Sequence, residues 1–141
     1  MVEFLCFSLF VFSEPHETYD VIMGSRNYRD LIVWQKGMDL FVAVHELSEQ
    51  FPSSELYGMT SQIRRAALSI PLNIAEGSKR GTRKDFRKFL LIAYGSGAEV
   101  ETLLEGVKRL SWGRNIQTQA SELLVSEVMR LLNRFTSAIS H

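Results

Sequence analysis

The residues best suited to chemistry in this 141-residue chain are cations, and Lys79, Arg80, Arg83, Lys84, Arg87 and Lys88 fall within one short run. Arg83 with Arg87, and Lys84 with Lys88, repeat at i,i+4 spacing. On a helix each pair shares a face, and like charges there destabilise an isolated helix by about 0.2–0.5 kcal/mol. Folding gains nothing from such repulsion, so the spacing points to a ligand. The chemistry would be capture of a phosphate backbone, RNA or DNA, with little reading of bases and an affinity that falls steeply with salt. Amides opening a helix at this point would add partial positive charge. The same face could instead meet an acidic protein surface, or a neighbouring subunit, or remain a solvated face.

Groups for catalysis are sparse. His45 and Glu49 share a helix face at i,i+4, which is half of a metal site with no second pair to complete it. Arg134 and His141 have an Arg-x6-His spacing similar to that of ribonucleases built on a different four-helix bundle, but here the histidine is the last residue. A fraying terminus positions a general base poorly. No catalytic residue, metal or cofactor is expected.

Sixteen basic residues balance sixteen acidic ones, so any attraction to a polyanion must come from uneven distribution. It is uneven: between Arg64 and Lys88 eight basic residues face only Glu76 and Asp85. A hydrophobic content of 45% with 23% charged residues is ordinary for one soluble domain. The single cysteine, Cys6, excludes an internal disulfide and suits a reducing cytosol. Phe4 to Phe12 is apolar but too short for a bilayer, which takes about 20 residues, and it lacks the positive flank of a signal peptide. Residues 1–22 read as an appendage, with Met23 as an alternative translation start. Residues 1–27 are expected to lie outside the core, and 28–141 to form one domain.

Four segments must position the cations. Leu31, Trp34, Met38, Phe41, Val42, His45 and Leu47 recur at helical spacing after Asp30, a plausible N-cap, and stop at Pro52. Ser53 or Ser54 is expected to cap a second helix, carried by Leu56, Met59, Ile63, Ala66, Ala67, Ile70 and Ile74 and ended by Gly77. Pro71 predicts a kink in it, with Asn73 and Ser69 bonding backbone groups that the proline frees. Thr82 and Asp85 have capping-box spacing, so a long third helix is predicted over Arg83 to Leu110, about 42 Å at about 1.5 Å per residue. Gly95, Gly97 and Gly106 within it predict close helix approach. A break at Ser111 to Asn115 precedes a fourth helix from Ile116 through Ile139. The expected fold is all-α, an antiparallel up-and-down four-helix bundle. Arg64 and Arg65 point about 100° apart, so one is expected to be structural, paired with Glu99 or Glu101. Trp34, Tyr57, Tyr94 and Trp112 are expected as core or interface anchors.

Four phrases then carry a resemblance: Leu31-Ile32-Val33-Trp34-Gln35-Lys36, Tyr57 through Ala67, Ser69-Ile70-Pro71-Leu72-Asn73-Ile74-Ala75-Glu76-Gly77, and Phe89 through Glu101. From about Tyr28 to Leu110 the chain resembles the four-helix bundle proteins encoded by intervening sequences of 23S ribosomal RNA genes. That family looks related to the accessory protein of diversity-generating retroelements, a ring of five that works with a reverse transcriptase. The resemblance implies a cytoplasmic bacterial homo-oligomer, a pentamer, with a positively charged surface, no established enzymatic activity and no membrane. It names no ligand: RNA or DNA as partner is the expectation of the charge reading, with a reverse transcriptase or other protein as the alternative. Gly37, Gly97 and a fourth helix with few lysines depart from the family pattern.

Overall fold

The computed structural model describes residues 27–139. The extension with Cys6 and Met23, and the terminal His141, lie outside the described residues. Four helices make the fold: α1 (Ile32–Ser48), α2 (Ser61–Lys79), α3 (Arg83–Arg109) and α4 (Gln119–Ile139), with no strand among the described residues. Their apolar stripes meet in one core, where Leu40, Val44, Ile63, Ile70, Ile74, Phe86, Leu90, Val100, Val107, Val128 and Leu132 have no exposed surface. Burying each such side chain stabilises the fold by about 1.5–3 kcal/mol relative to leaving it in water.

Contacts between successive helices pair residues in reversed order, as antiparallel neighbours do. Ser48 meets Arg64 while Gly37 meets Ile70 and Pro71 across α1 and α2. Met59, just ahead of α2, packs near Gly106, Ser69 bonds Ser96, and Gly77 adjoins Phe89 across α2 and α3. Across α3 and α4, Phe86 stacks edge-on with Phe135 at 5.7 Å, and Lys108 reaches Glu122.

Several boundaries differ from expectation. Asp30 belongs to a short turn, Tyr28–Asp30, capped by the Asn27 side chain, and α1 starts after Leu31 with no side-chain cap. Ser53 and Ser54 open a separate 3-10 turn, Ser53–Glu55, which leads into a π-type turn, Leu56–Thr60. There the Glu55 carboxylate accepts from the Met59 amide at 3.1 Å, and Gly58 takes φ −109°, ψ −114°. Thr60 is already helical and the Ser61 amide donates to the Gly58 carbonyl, so α2 starts from a wound turn and takes no serine cap. Tyr57 on this turn is 93% exposed, and Tyr94 is exposed too, so neither is a core anchor; Trp34 and Trp112 are half-buried, against Tyr28 and Phe51. The fourth helix starts at Gln119, because Ile116 is held in the preceding turn by its amide bond to the Gly113 carbonyl.

Pro71 lies inside α2, which continues through it to Lys79. The proline is buried against Gly37, where a Cβ would stand 3.6 Å from the ring, an ordinary packing distance. Asn73 donates to the Ser69 carbonyl at 2.7 Å and to its hydroxyl at 3.0 Å, and not to the Ala67 carbonyl that proline leaves without its usual donor. The Ser69 hydroxyl lies 2.9 Å from that of Ser96, so this polar pair ties α2 to α3.

Gly77 does not end α2. A Cβ on it would lie 2.6 Å from Cβ of Phe89 and 2.9 Å from the Phe86 ring, so α2 and α3 approach closely here. The chain turns at Gly81, whose φ of +81° is a left-handed conformation suited to glycine. Within α3, Gly97 seats the Met129 thioether of α4, and Gly106 meets the Met59 methyl. Gly95, by contrast, faces open space.

Candidate nucleic-acid interface

Helix α3 carries the cations because of how it starts. Thr82 is extended, at φ −121° and ψ 146°, and its hydroxyl accepts from the Asp85 amide at 3.1 Å while donating to the Asp85 carboxylate at 2.7 Å. This cap fixes the helical phase from Arg83 onward. It also places a carboxylate in the first turn, which offsets part of the positive potential expected from the helix amides.

With the phase fixed, Phe86, Leu90, Ala93, Gly97, Val100, Leu104 and Val107 turn to the core. Arg83, Lys84, Arg87 and Lys88 then occupy an arc of about 140°, using about 100° per residue, that runs from the half-buried Arg83 and Arg87 to the exposed Lys84 and Lys88. Lys84, Arg87 and Lys88 line one open depression of about 600 Å³, together with Asp85, Leu91 and Ile92. None of these three cations forms an ion pair among the described residues. The Arg87 Nε is hidden from solvent and lacks a hydrogen-bond partner there.

The remaining cations of the run are placed differently. Arg80, the residue closing α2, pairs with Glu76 at 2.5 Å and sets its guanidinium 5.2 Å from the Phe89 ring centre. Lys79 lies 6.0 Å from the Tyr28 ring centre. Arg83 is half-buried one turn before Arg87. The six residues therefore divide into a cluster of three around the depression, with Arg83 beside it, and two at the end of α2 engaged by their own subunit.

Leu91 and Ile92 were not expected at this site. Each is 44% exposed beside the cations, and their positions off the Phe86, Leu90, Ala93 stripe are the signal that sequence reasoning could have used.

The arginine pair of α2 also sorts differently from expectation. Arg65 is exposed, whereas the half-buried Arg64 donates from Nε to the Ser48 hydroxyl at 2.7 Å. Its partner is thus a serine of α1 and not Glu99 or Glu101, because Arg64 faces α1 while those glutamates lie on the exposed side of α3. His45 and Glu49 stand 3.9 Å apart on the surface. Among the described residues no group of three or more His, Cys, Asp or Glu side chains is placed to hold a metal ion.

At the far end of α3 the charges are paired. The Lys108 ammonium bridges Glu105 at 2.9 Å and Glu122 of α4 at 3.0 Å, and Arg109 binds Glu105 at 2.9 Å. The hydrogen bond from Lys108, then that from Arg109, holds the Glu105 carboxyl below its usual range. Lys108, then Thr118, does the same for Glu122, and both glutamates, Glu105 foremost, push Lys108 up. One end of the helix thus has its charges matched within the bundle, while the other presents cations outward.

Residues 29–134 match the family model described as 23S rRNA-intervening sequence protein. The chain belongs to this family. The matched range takes in α1, α2, α3 and most of α4, and with them all six cations of the run. A comparison with curated proteins finds no match. In this member of the 23S rRNA-intervening sequence protein family, no helix among the described residues is long and apolar enough to cross a membrane.

Proposed function

We propose that this protein is a non-enzymatic, homo-oligomeric bundle of the cytoplasm that binds the backbone of nucleic acid, structured RNA foremost, through the outward face at the start of α3. One observation carries the reading: Lys84, Arg87 and Lys88 converge on a single open depression without an ion pair among the described residues. Three unmatched cations so close together repel one another, and a phosphate backbone relieves that repulsion while releasing its own counterions. Arg83 extends the track by one turn. Arg80 and Lys79 join at the edge, since a surface ion pair such as Arg80 with Glu76 is worth only about 0–1 kcal/mol and exchanges readily for phosphate. A family whose printed description ties it to 23S rRNA intervening sequences supports RNA over DNA.

A second reading has an observation of its own. Leu91 and Ile92 border the same depression, and apolar side chains favour a protein partner, such as a reverse transcriptase or polymerase, over a phosphate backbone. Native mass spectrometry of the purified protein, before and after RNase treatment, separates the two. Co-purifying RNA, with release on RNase treatment, supports the first; RNA-free assemblies that do not bind added structured RNA at low salt remove it. The same spectra report whether the subunits assemble as the expected ring of five.

A further inference from the structure

The depression beside Lys84 has two kinds of lining, a charged one in which three cations outnumber the single carboxylate of Asp85, and an apolar one of the exposed Leu91 and Ile92. An occupant that satisfies both must be acidic and apolar at once. The sequence preceding the described residues has that composition. Residues 1–22 hold Glu3, Glu14, Glu17 and Asp20 with no lysine or arginine, next to the apolar stretch from Phe4 to Phe12.

The place where the described chain begins brings this segment to the right end of the bundle. Tyr28 lies against Lys79, the last residue of α2, and Lys84 follows only five residues later, in the first turn of α3. At about 3.3 Å per extended residue, Asp20 can reach about 23 Å from Asn27 and Glu14 about 43 Å. The track from Lys84 to Ile92 along α3 is only about 12 Å. Reach therefore places no obstacle, and tethering makes the local concentration of the segment high.

We propose that the amino-terminal segment of the same chain docks on this face, its carboxylates at Glu14, Glu17 and Asp20 against Lys84, Arg87 and Lys88 and its apolar stretch over Leu91 and Ile92. The segment is then an internal competitor for the site, and nucleic acid must displace it. The competition rests on the nucleic-acid reading given above, whereas the docking itself does not.

The test uses the full chain and its E14Q/E17Q/D20N variant, whose substitutions replace none of the described residues. Treatment with a carbodiimide should join Lys84 or Lys88 to Glu14, Glu17 or Asp20 within one chain, and mixed isotope-labelled chains should show no crossed products. Acetylation of Lys84 and Lys88 by a small reagent should be faster in the variant, with Lys36 as internal control. The variant should bind a structured RNA hairpin about three- to tenfold more tightly, as expected for the release of a few exposed ion pairs. Absence of the cross-link together with unchanged acetylation overturns the docking, even if RNA binds. A cross-link between different chains overturns the own-subunit seat, and so does an intact mass showing that the native chain starts at Met23. A cross-link within one chain, with no RNA bound by either form, supports the docking and removes the nucleic-acid reading instead.

Discussion

Gly77 and Phe89 touch across α2 and α3: a Cβ on the glycine would stand 2.6 Å from that of the phenylalanine. Two backbones can approach this far only because one residue has no side chain.

Alanine at Gly77 therefore forces the helices apart. G77A should lose about 1–3 kcal/mol, the usual range for an overpacked core, read as a lower urea midpoint. Gly95 is the control, since nothing lies within 4 Å of its would-be Cβ. G95A should gain about 0.5–1 kcal/mol from helix propensity alone. Equal losses at both positions would show that the helix, and not the contact, is the cause.

The Ser48 hydroxyl, almost wholly buried, accepts from Arg64 Nε at 2.7 Å and donates to the His45 carbonyl at 2.8 Å. S48A leaves a half-buried guanidinium short of an acceptor and should cost about 1–3 kcal/mol in chemical denaturation. E99Q and E101Q, at exposed positions, should change stability by less than about 0.5 kcal/mol.

The bridge of Glu105, Lys108 and Glu122 makes stability depend on pH in a definite direction. Both carboxyls are held below the ordinary value of 4.5, so their contribution is present above that pH and is lost as pH falls through their folded values. Lys108 is raised above 10.5, so its contribution is present below that pH and is lost as pH rises through its folded value. The Tm difference between wild type and K108M should be flat across neutral pH and should close at both extremes. A difference that persists unchanged in strong acid would show that the bridge does not link α3 to α4 energetically.

Charge reversal distinguishes the cations. K84E and K88E should each weaken binding to structured RNA and reduce the salt slope by about 1, as for loss of one phosphate contact. R80E should have a smaller effect, because Arg80 is already paired with Glu76 and stacked on Phe89. A filter-binding titration across salt concentrations reads both quantities; equal effects at Arg80 and Lys88 would spread the site over the whole turn.

How far these features were legible follows from how local they are. The four apolar stripes and the Thr82 cap depend on residues a few positions apart, and the sequence displays them directly. The entry to α2 does not, because its π-type turn rests on the Glu55 carboxylate reaching the Met59 amide and on an unusual backbone at Gly58. Gly77 has the same residue type and spacing as a helix stop, and only the partner helix shows that it is a contact. For the cations, the run in sequence shows charge but not assignment. Glu76 stands four residues before Arg80, a readable i,i+4 pair, whereas the outward placement of Leu91 and Ile92 depends on which stripe of α3 the other helices cover.

The seam between α3 and α4 closes over a sulfur atom, where the Met129 thioether fills the space left by Gly97. A thioether conforms to such a hollow, but an added oxygen makes it larger and polar. Peroxide should therefore loosen this protein at the α3–α4 seam and lower its Tm, and M129L should reduce that sensitivity, so part of its durability in an oxidising environment rests on one half-buried methionine.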